Sequence, residues 1–155
     1  MALHFIPNHS WICVDLEFVG DISGDAPSEC RIWNIGAVKL NGDEFSVVMH
    51  VPTHLGTHPG CVHVTGAFLK QNNAVDFKTG FASFCEWVGP QAIIITHNCF
   101  KSDKPVLESE CRRHRIEMPC WYFFDSLLFL RTKIQLASYR LGDIYEYVVG
   151  AGFKE

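Results

Sequence analysis

Two carboxylates stand two residues apart inside an apolar run. The stretch "WICVDLEFVG", residues 11–20, sets Asp15 and Glu17 among Trp11, Ile12, Cys13, Val14, Leu16 and Phe18. An ionised carboxylate brought into an apolar interior costs several kcal/mol unless something compensates it. In a strand, side chains at i and i+2 leave from the same face, so Asp15 and Glu17 project together. Two adjacent like charges raise each other's pKa unless a cation neutralises them. A divalent ion with oxygen ligands does this, and Mg²⁺ favours carboxylates together with waters and a substrate phosphate. The alternative is an edge strand with both acids in water; six apolar neighbours argue against it.

A second stretch supplies a third acid. In "THNCFKSDKPVL", residues 96–107, an apolar strand delivers His97 and Asn98 to its carboxyl end, and Asp103 follows at a helix start. Sites in open α/β folds collect at the carboxyl ends of strands. An Asp at that position also compensates the helix dipole, and taken alone Asp103 reads that way. Taken with Asp15 and Glu17, it reads as a metal ligand.

These side chains require elements to position them. Strands are expected over 11–18, 31–40 and 44–50, with "NGD" at 41–43 as a hairpin turn and polar loops at 20–29 and 51–60. A short helix is expected within 64–73. The spacing of Phe77, Phe81, Phe84, Cys85 and Val88 predicts another over 76–88. "QAIIITHN" at 91–98 reads as a buried parallel strand. A helix then begins near Asp103, with Ser102 as N-cap and Pro105 in its first turn. Residues 120–130 read as strand running into helix, and 136–149 as a closing helix. The order βββ followed by alternating α and β implies an α/β fold, a mixed sheet flanked by helices, in a single domain over 1–155.

Composition narrows the classes. With 155 residues, 48% hydrophobic and 19% charged, the chain can bury a real core. A net charge of −4 argues against a broad grip on a long nucleic acid, though not against a cleft that takes one strand end through metals. Seven cysteines without a Cys-x-x-Cys pair suggest reduced, mostly buried thiols and an intracellular location. No signal peptide is evident in "MALHFIPNHS", and the longest aliphatic run, "AIII", is too short for a membrane span.

The blocks "VDLEF", "IWNIGAVKL", "HNCFKSDKPVL", "FFDSLLFLR" and "SYRLGDIYEYVVG" resemble, in the right order, the DEDD 3′–5′ exonucleases of the DEDDh type (ribonuclease T / DNA polymerase III epsilon-like). The resemblance runs from about residue 10 to the end and implies a ribonuclease H-like fold. It also implies hydrolysis of phosphodiester bonds at single-stranded DNA or RNA 3′ ends with two Mg²⁺ or Mn²⁺ ions. It assigns Asp15 and Glu17 to the first motif and Asp103 to the second, all three as catalytic metal ligands. Leu16, Phe18 and Asn98 become supports for the terminal nucleotide, with packing as the competing role.

The resemblance also implies a third motif, a histidine base followed by a fourth acid. No histidine follows His114 in these 155 residues. The expectation is a domain cut short before its last helix and impaired for that reason, with uncovered apolar surface that would favour self-association or a protein partner. An inactive exonuclease-like module that binds protein or nucleic acid is the alternative. Tyr139 and Asp143 have the spacing of the DEDDy branch, with an ordinary amphipathic helix as the competing reading. His54, His58, Cys61 and His63 could in principle hold zinc, but they fall in a Gly/Pro-rich loop, and zinc is not expected. "RRH" at 112–114 reads as a solvated basic face.

Overall fold

Strict alternation builds the central strand. The computed structural model describes residues 10–20, 27–55 and 61–150. Within β1 (Ser10–Val19), Ile12, Val14 and Leu16 are buried while Cys13, Asp15 and Glu17 are exposed on the opposite face. β1 pairs antiparallel with β2 (Arg31–Lys39), which pairs antiparallel with β3 (Glu44–Val48). On its other side β1 runs parallel to β4 (Ala92–Thr96), itself parallel to β5 (Tyr122–Asp125). The sheet order is β3-β2-β1-β4-β5, so β1 is central rather than an edge, as its apolar neighbours require. The turn at 41–43 closes with Gly42 N–H donating to the Lys39 carbonyl and Lys39 N–H to the Asp43 carbonyl, Gly42 taking φ +85°.

Helices cover one face. After the short α1 (Gly66–Gln71), α2 (Phe77–Val88) buries Phe77, Phe81, Phe84 and Val88 against Ile12, Val14, Leu16 and Ile35. Asp76 caps it, its carboxylate accepting from Thr79 N–H at 3.1 Å. Gly80 lets α2 close on the sheet, because a Cβ there would stand 2.9 Å from Met49 Cγ. α3 (Asp103–His114) crosses toward β2 and the 3-10 turn Pro27–Glu29. Ser102 occupies the N-cap position of α3 but makes no capping hydrogen bond, so the expected cap is absent. The side-chain cap appears instead at α4 (Ser126–Arg131), where Asp125 accepts from Leu127 and Leu128 N–H at 3.0 and 3.2 Å.

Two local expectations change. α5 spans Leu141–Val149, so Tyr139 precedes the helix rather than sharing a face with Asp143. Its hydroxyl donates to the Ile134 carbonyl at 2.7 Å and ties down its own loop. The 112–114 stretch is not simply a solvated face either. Arg113 contacts Glu110, which is only 2% exposed, and the Ser28 carbonyl, while His114 stacks on Phe77 at 4.9 Å. Four of the seven cysteines are buried and all are free thiols. No described helix is long and apolar enough to cross a membrane.

The aromatic centre sets the stability. Phe84 is fully buried and touches the rings of Phe45, Phe81, Trp87 and Trp121. Phe84→Ala is expected to cost about 3–5 kcal/mol. Urea unfolding should show this as a lower midpoint at unchanged slope.

Candidate metal-binding carboxylate site

The site forms where β1 outruns its parallel neighbour. β4 pairs with β1 only over Ser10–Cys13, leaving that edge of β1 open at Asp15, Leu16 and Glu17. Leu16 fills the opening from both ends. Its side chain is in the core, and its backbone amide lies close enough to the Asp103 carboxyl at the start of α3 to lower that group's pKa. Asp15 and Glu17, one residue to either side, leave the face opposite the buried side chains that pack on α2 and α3.

A register irregularity between Glu17 and Phe18 bends this end of the strand, pairing Glu17 with Asn34 and Phe18 with Ile32. Bulges of this kind re-aim side chains next to active sites. Trp33, skipped by the pairing, turns its ring edge-on to His63 and Phe68 at 5.4 and 5.5 Å. Phe18 is half-buried against the core, and its carbonyl accepts from the Cys61 thiol at 3.3 Å. Asn98, in the turn two residues past β4, adopts the left-handed region at φ +66°, which Asn tolerates better than most residues. Its carbonyl receives Lys101 and Ser102 N–H, so the chain turns sharply into α3 and swings Asp103 back beside β1.

The electrostatics are those of an under-neutralised cluster. Burial raises the Asp15 pKa above the ordinary carboxylate range. Glu17 is raised by burial and then by the charge of Asp15, with His63 acting in the opposite direction. Asp103, 6% exposed, is pushed up to about 6 by burial and by Asp15, against the stabilising hydrogen bonds from its own and the Leu16 amide. The Thr96 hydroxyl lies beside Asp103, is 4% exposed, and has no partner at normal hydrogen-bond geometry.

Hard oxygen donors sharing excess negative charge, next to an unsatisfied buried hydroxyl, suit a hydrated divalent cation. No three of the described His, Cys, Asp or Glu side chains enclose an ion unaided.

Other candidate residues take distinct places. His97 bridges, its Nδ1 3.0 Å from Ser126 Oγ and its Nε2 2.8 Å from the Tyr139 carbonyl, so both ring nitrogens are engaged. His54 is exposed on the 3-10 turn Thr53–Leu55, and Cys61 and His63 turn to Phe18 and to Trp33 and Phe68; His58 lies outside the described residues. Beside Asp15 the open sheet face carries a groove of about 840 Å³, whose walls include Cys13, Val38, Ile95, His97 and Leu141. The sequence did not single out Thr96, or Asp125 as the cap that also accepts Phe100 N–H at 3.3 Å. Thr96 opens the stretch "THNCFKSD" and Asp125 lies inside "FFDSLLFLR", but their roles depend on β4 and β5 being paired.

A raised pKa in the folded chain means Asp103 keeps its proton where the unfolded chain has lost it. Its contribution is therefore favourable below the ordinary value of 3.8, declines as pH rises, and is lost above about 6. Asp103→Asn in chelator is expected to stabilise the fold at pH 7 by about 1–3 kcal/mol. The gain should vanish near pH 4, as measured by paired denaturation curves at the two pH values.

The exonuclease family model RNase_T matches residues 12–152. No curated protein sequence matches the chain. Among solved structures, the nuclease domain of 3′hExo, a DEDDh family member bound to rAMP, superposes with a TM-score of 0.68. It shares 16% identity over 94% of this chain and 81% of that one. Exonuclease I in its apo form gives 0.59 at 16% identity over 80% of this chain, and the family B DNA polymerase of Pyrobaculum calidifontis gives 0.61 at 12% over 92%. The chain spans only 30% of that exonuclease I and 18% of that polymerase. These likenesses show the ribonuclease H-like exonuclease fold, and with a family model covering nearly its whole length the chain belongs to the RNase_T exonuclease family.

Proposed function

We propose that this chain is a metal-dependent 3′–5′ exonuclease domain that removes nucleotides from single-stranded DNA or RNA 3′ ends. The observation that carries the proposal is the electrostatic coupling of Asp15 to both Glu17 and Asp103 at the open end of the central strand. Asp15, Glu17 and Asp103 would hold two Mg²⁺ or Mn²⁺ ions. Such a pair, when bound, activates water at neutral pH and stabilises the attacking and leaving oxygens of an in-line displacement.

The chain's own residues do the rest. The Leu16 amide fixes the Asp103 carboxylate, while the buried Thr96 hydroxyl beside it is available to a second oxygen. Leu16 contributes backbone rather than side chain, and Phe18 and Asn98 stand at the strand ends where a terminal nucleotide would enter. His97 is spent on Ser126 and Tyr139 and does not supply a free base. A correctly placed general base is worth about 10²–10⁴ in rate. With both ring nitrogens of His97 engaged, the site is expected to bind the ions yet hydrolyse slowly.

A second reading is favoured by the groove beside Asp15: an exonuclease-like fold retained as an interaction module. Metal binding separates the two. Mn²⁺ titrated by calorimetry should bind the chain and fail to bind Asp15→Ala, and a 5′-labelled single strand should shorten progressively from its 3′ end. Absence of Mn²⁺ binding by both proteins would favour the interaction module.

A further inference from the structure

The loop from β4 into α3 carries a feature the carboxylates do not use. Phe100, 46% exposed, follows Cys99 directly, and its backbone is anchored by donation to Asp125 Oδ2 at 3.3 Å. Lys104 lies one position past Asp103 on α3. Its Nζ is 5.6 Å from the Phe100 ring centroid and 5.3 Å from that of Phe123, with Glu108 at 3.6 Å. Lys101 is exposed between them. One helical step turns a side chain by about 100°. Asp103 and Lys104 therefore leave the start of α3 in different directions, Lys104 toward the rings of Phe100 and Phe123.

Packing does not require this arrangement. An exposed Phe gains little from the core, and beside it Lys104, partly exposed and shared with Glu108, sets a basic group next to an aromatic ring. Aromatic faces beside basic groups are how single strands are held, bases stacking on rings and phosphates meeting lysines without sequence preference. Phe100, Lys101 and Lys104 stand within four residues of Asp103 in a chain of net charge −4, so this local positive charge lies next to one of the three carboxylates in sequence.

We propose that Phe100, with Lys104 and Lys101, forms a subsite for the single strand upstream of the terminal nucleotide: one base stacks on Phe100 and its flanking phosphates lie against the two lysines. This rests on the nuclease reading above and extends it from the bond that is cut to the strand that is held. The subsite is sequence-tolerant and contributes nothing to a mononucleotide.

The test uses the whole chain in Ca²⁺ and a short 5′-fluorescein oligodeoxythymidylate, read by anisotropy, with unlabelled thymidine monophosphate and Mn²⁺ as separate titrants. Phe100→Ala should weaken the oligonucleotide about tenfold, within the range expected for loss of one stacked base, and leave mononucleotide and Mn²⁺ affinities alone. Phe100→Trp should restore binding. Lys104→Gln should flatten the dependence of log affinity on log salt by roughly 0.7, the share of one single-strand phosphate. Thermal unfolding of each variant confirms that it is folded.

Oligonucleotide binding by Phe100→Ala equal to that of the unaltered chain would overturn the subsite and leave the nuclease reading standing. Parallel loss of mononucleotide binding would overturn it as well, placing Phe100 at the terminal nucleotide. An unaltered chain that binds neither Mn²⁺ nor oligonucleotide would overturn both proposals together.

Discussion

The approach of the Asp103 carboxyl to the Leu16 amide, which favours its ionised form against burial, joins the two halves of this molecule. On one side is a strand whose even positions fill the core. On the other is a helix whose first residue must arrive beside that strand with its carboxylate oriented. Because β4 stops pairing with β1 at Cys13, the Leu16 amide has an open edge in front of it, and Asp103 occupies that edge. A one-residue slip of β1 would exchange its two faces, burying Asp15 and Glu17 and exposing Ile12, Val14 and Leu16. Core and site are thus fixed by the same register, and neither can be altered independently over these residues.

The approach of α3 depends on the turn that precedes it. Asn98 in the left-handed region gathers two amides on its carbonyl, and Asp125 at the end of β5 holds Phe100 from beneath. Asp125 also caps α4, so one buried carboxylate steadies both the β4–α3 loop and the helix after β5. His97 performs a similar service on the other side, linking the end of β4 through Ser126 and the Tyr139 carbonyl to the segment entering α5. A groove-facing histidine that looks reactive in the sequence is here a brace.

Much of this was legible in the sequence, for physical reasons that differ by element. Period-two alternation revealed β1, and the apolar flanks of Asp15 correctly implied a central strand. Helical spacing of phenylalanines gave α2 nearly to the residue. The acids were visible because charge in an apolar run is costly and so conspicuous. Contacts between distant segments were not visible. Nothing local in "SYRLGD" shows that Tyr139 bonds back to Ile134 before α5 begins, and nothing in "RRH" shows that a buried Glu110 waits one turn earlier to receive Arg113. Ser102 has the right residue type for an N-cap, yet the turn at Asn98 leaves it at φ −124° and ψ −88°, without a capping bond. Leu16, expected as a support for the terminal nucleotide with packing as the competing role, has its side chain in the core.

The open face explains why the carboxylates are held at an energetic disadvantage. Cys13, Val38 and Ile95 make apolar walls next to Asp15, which lowers the local polarisability available to its charge. With Glu17 and Asp103 nearby, ionising all three in the metal-free chain works against both burial and mutual repulsion. A divalent cation bound there, as proposed, would relieve both at once, and part of its binding free energy would be strain already present in the fold. By linkage, an ion that binds only the folded state returns that energy as stability. The same apolar surroundings that make the empty cluster unfavourable would make the filled one selective for a small, highly charged cation, because the gain from neutralisation grows as the local dielectric falls.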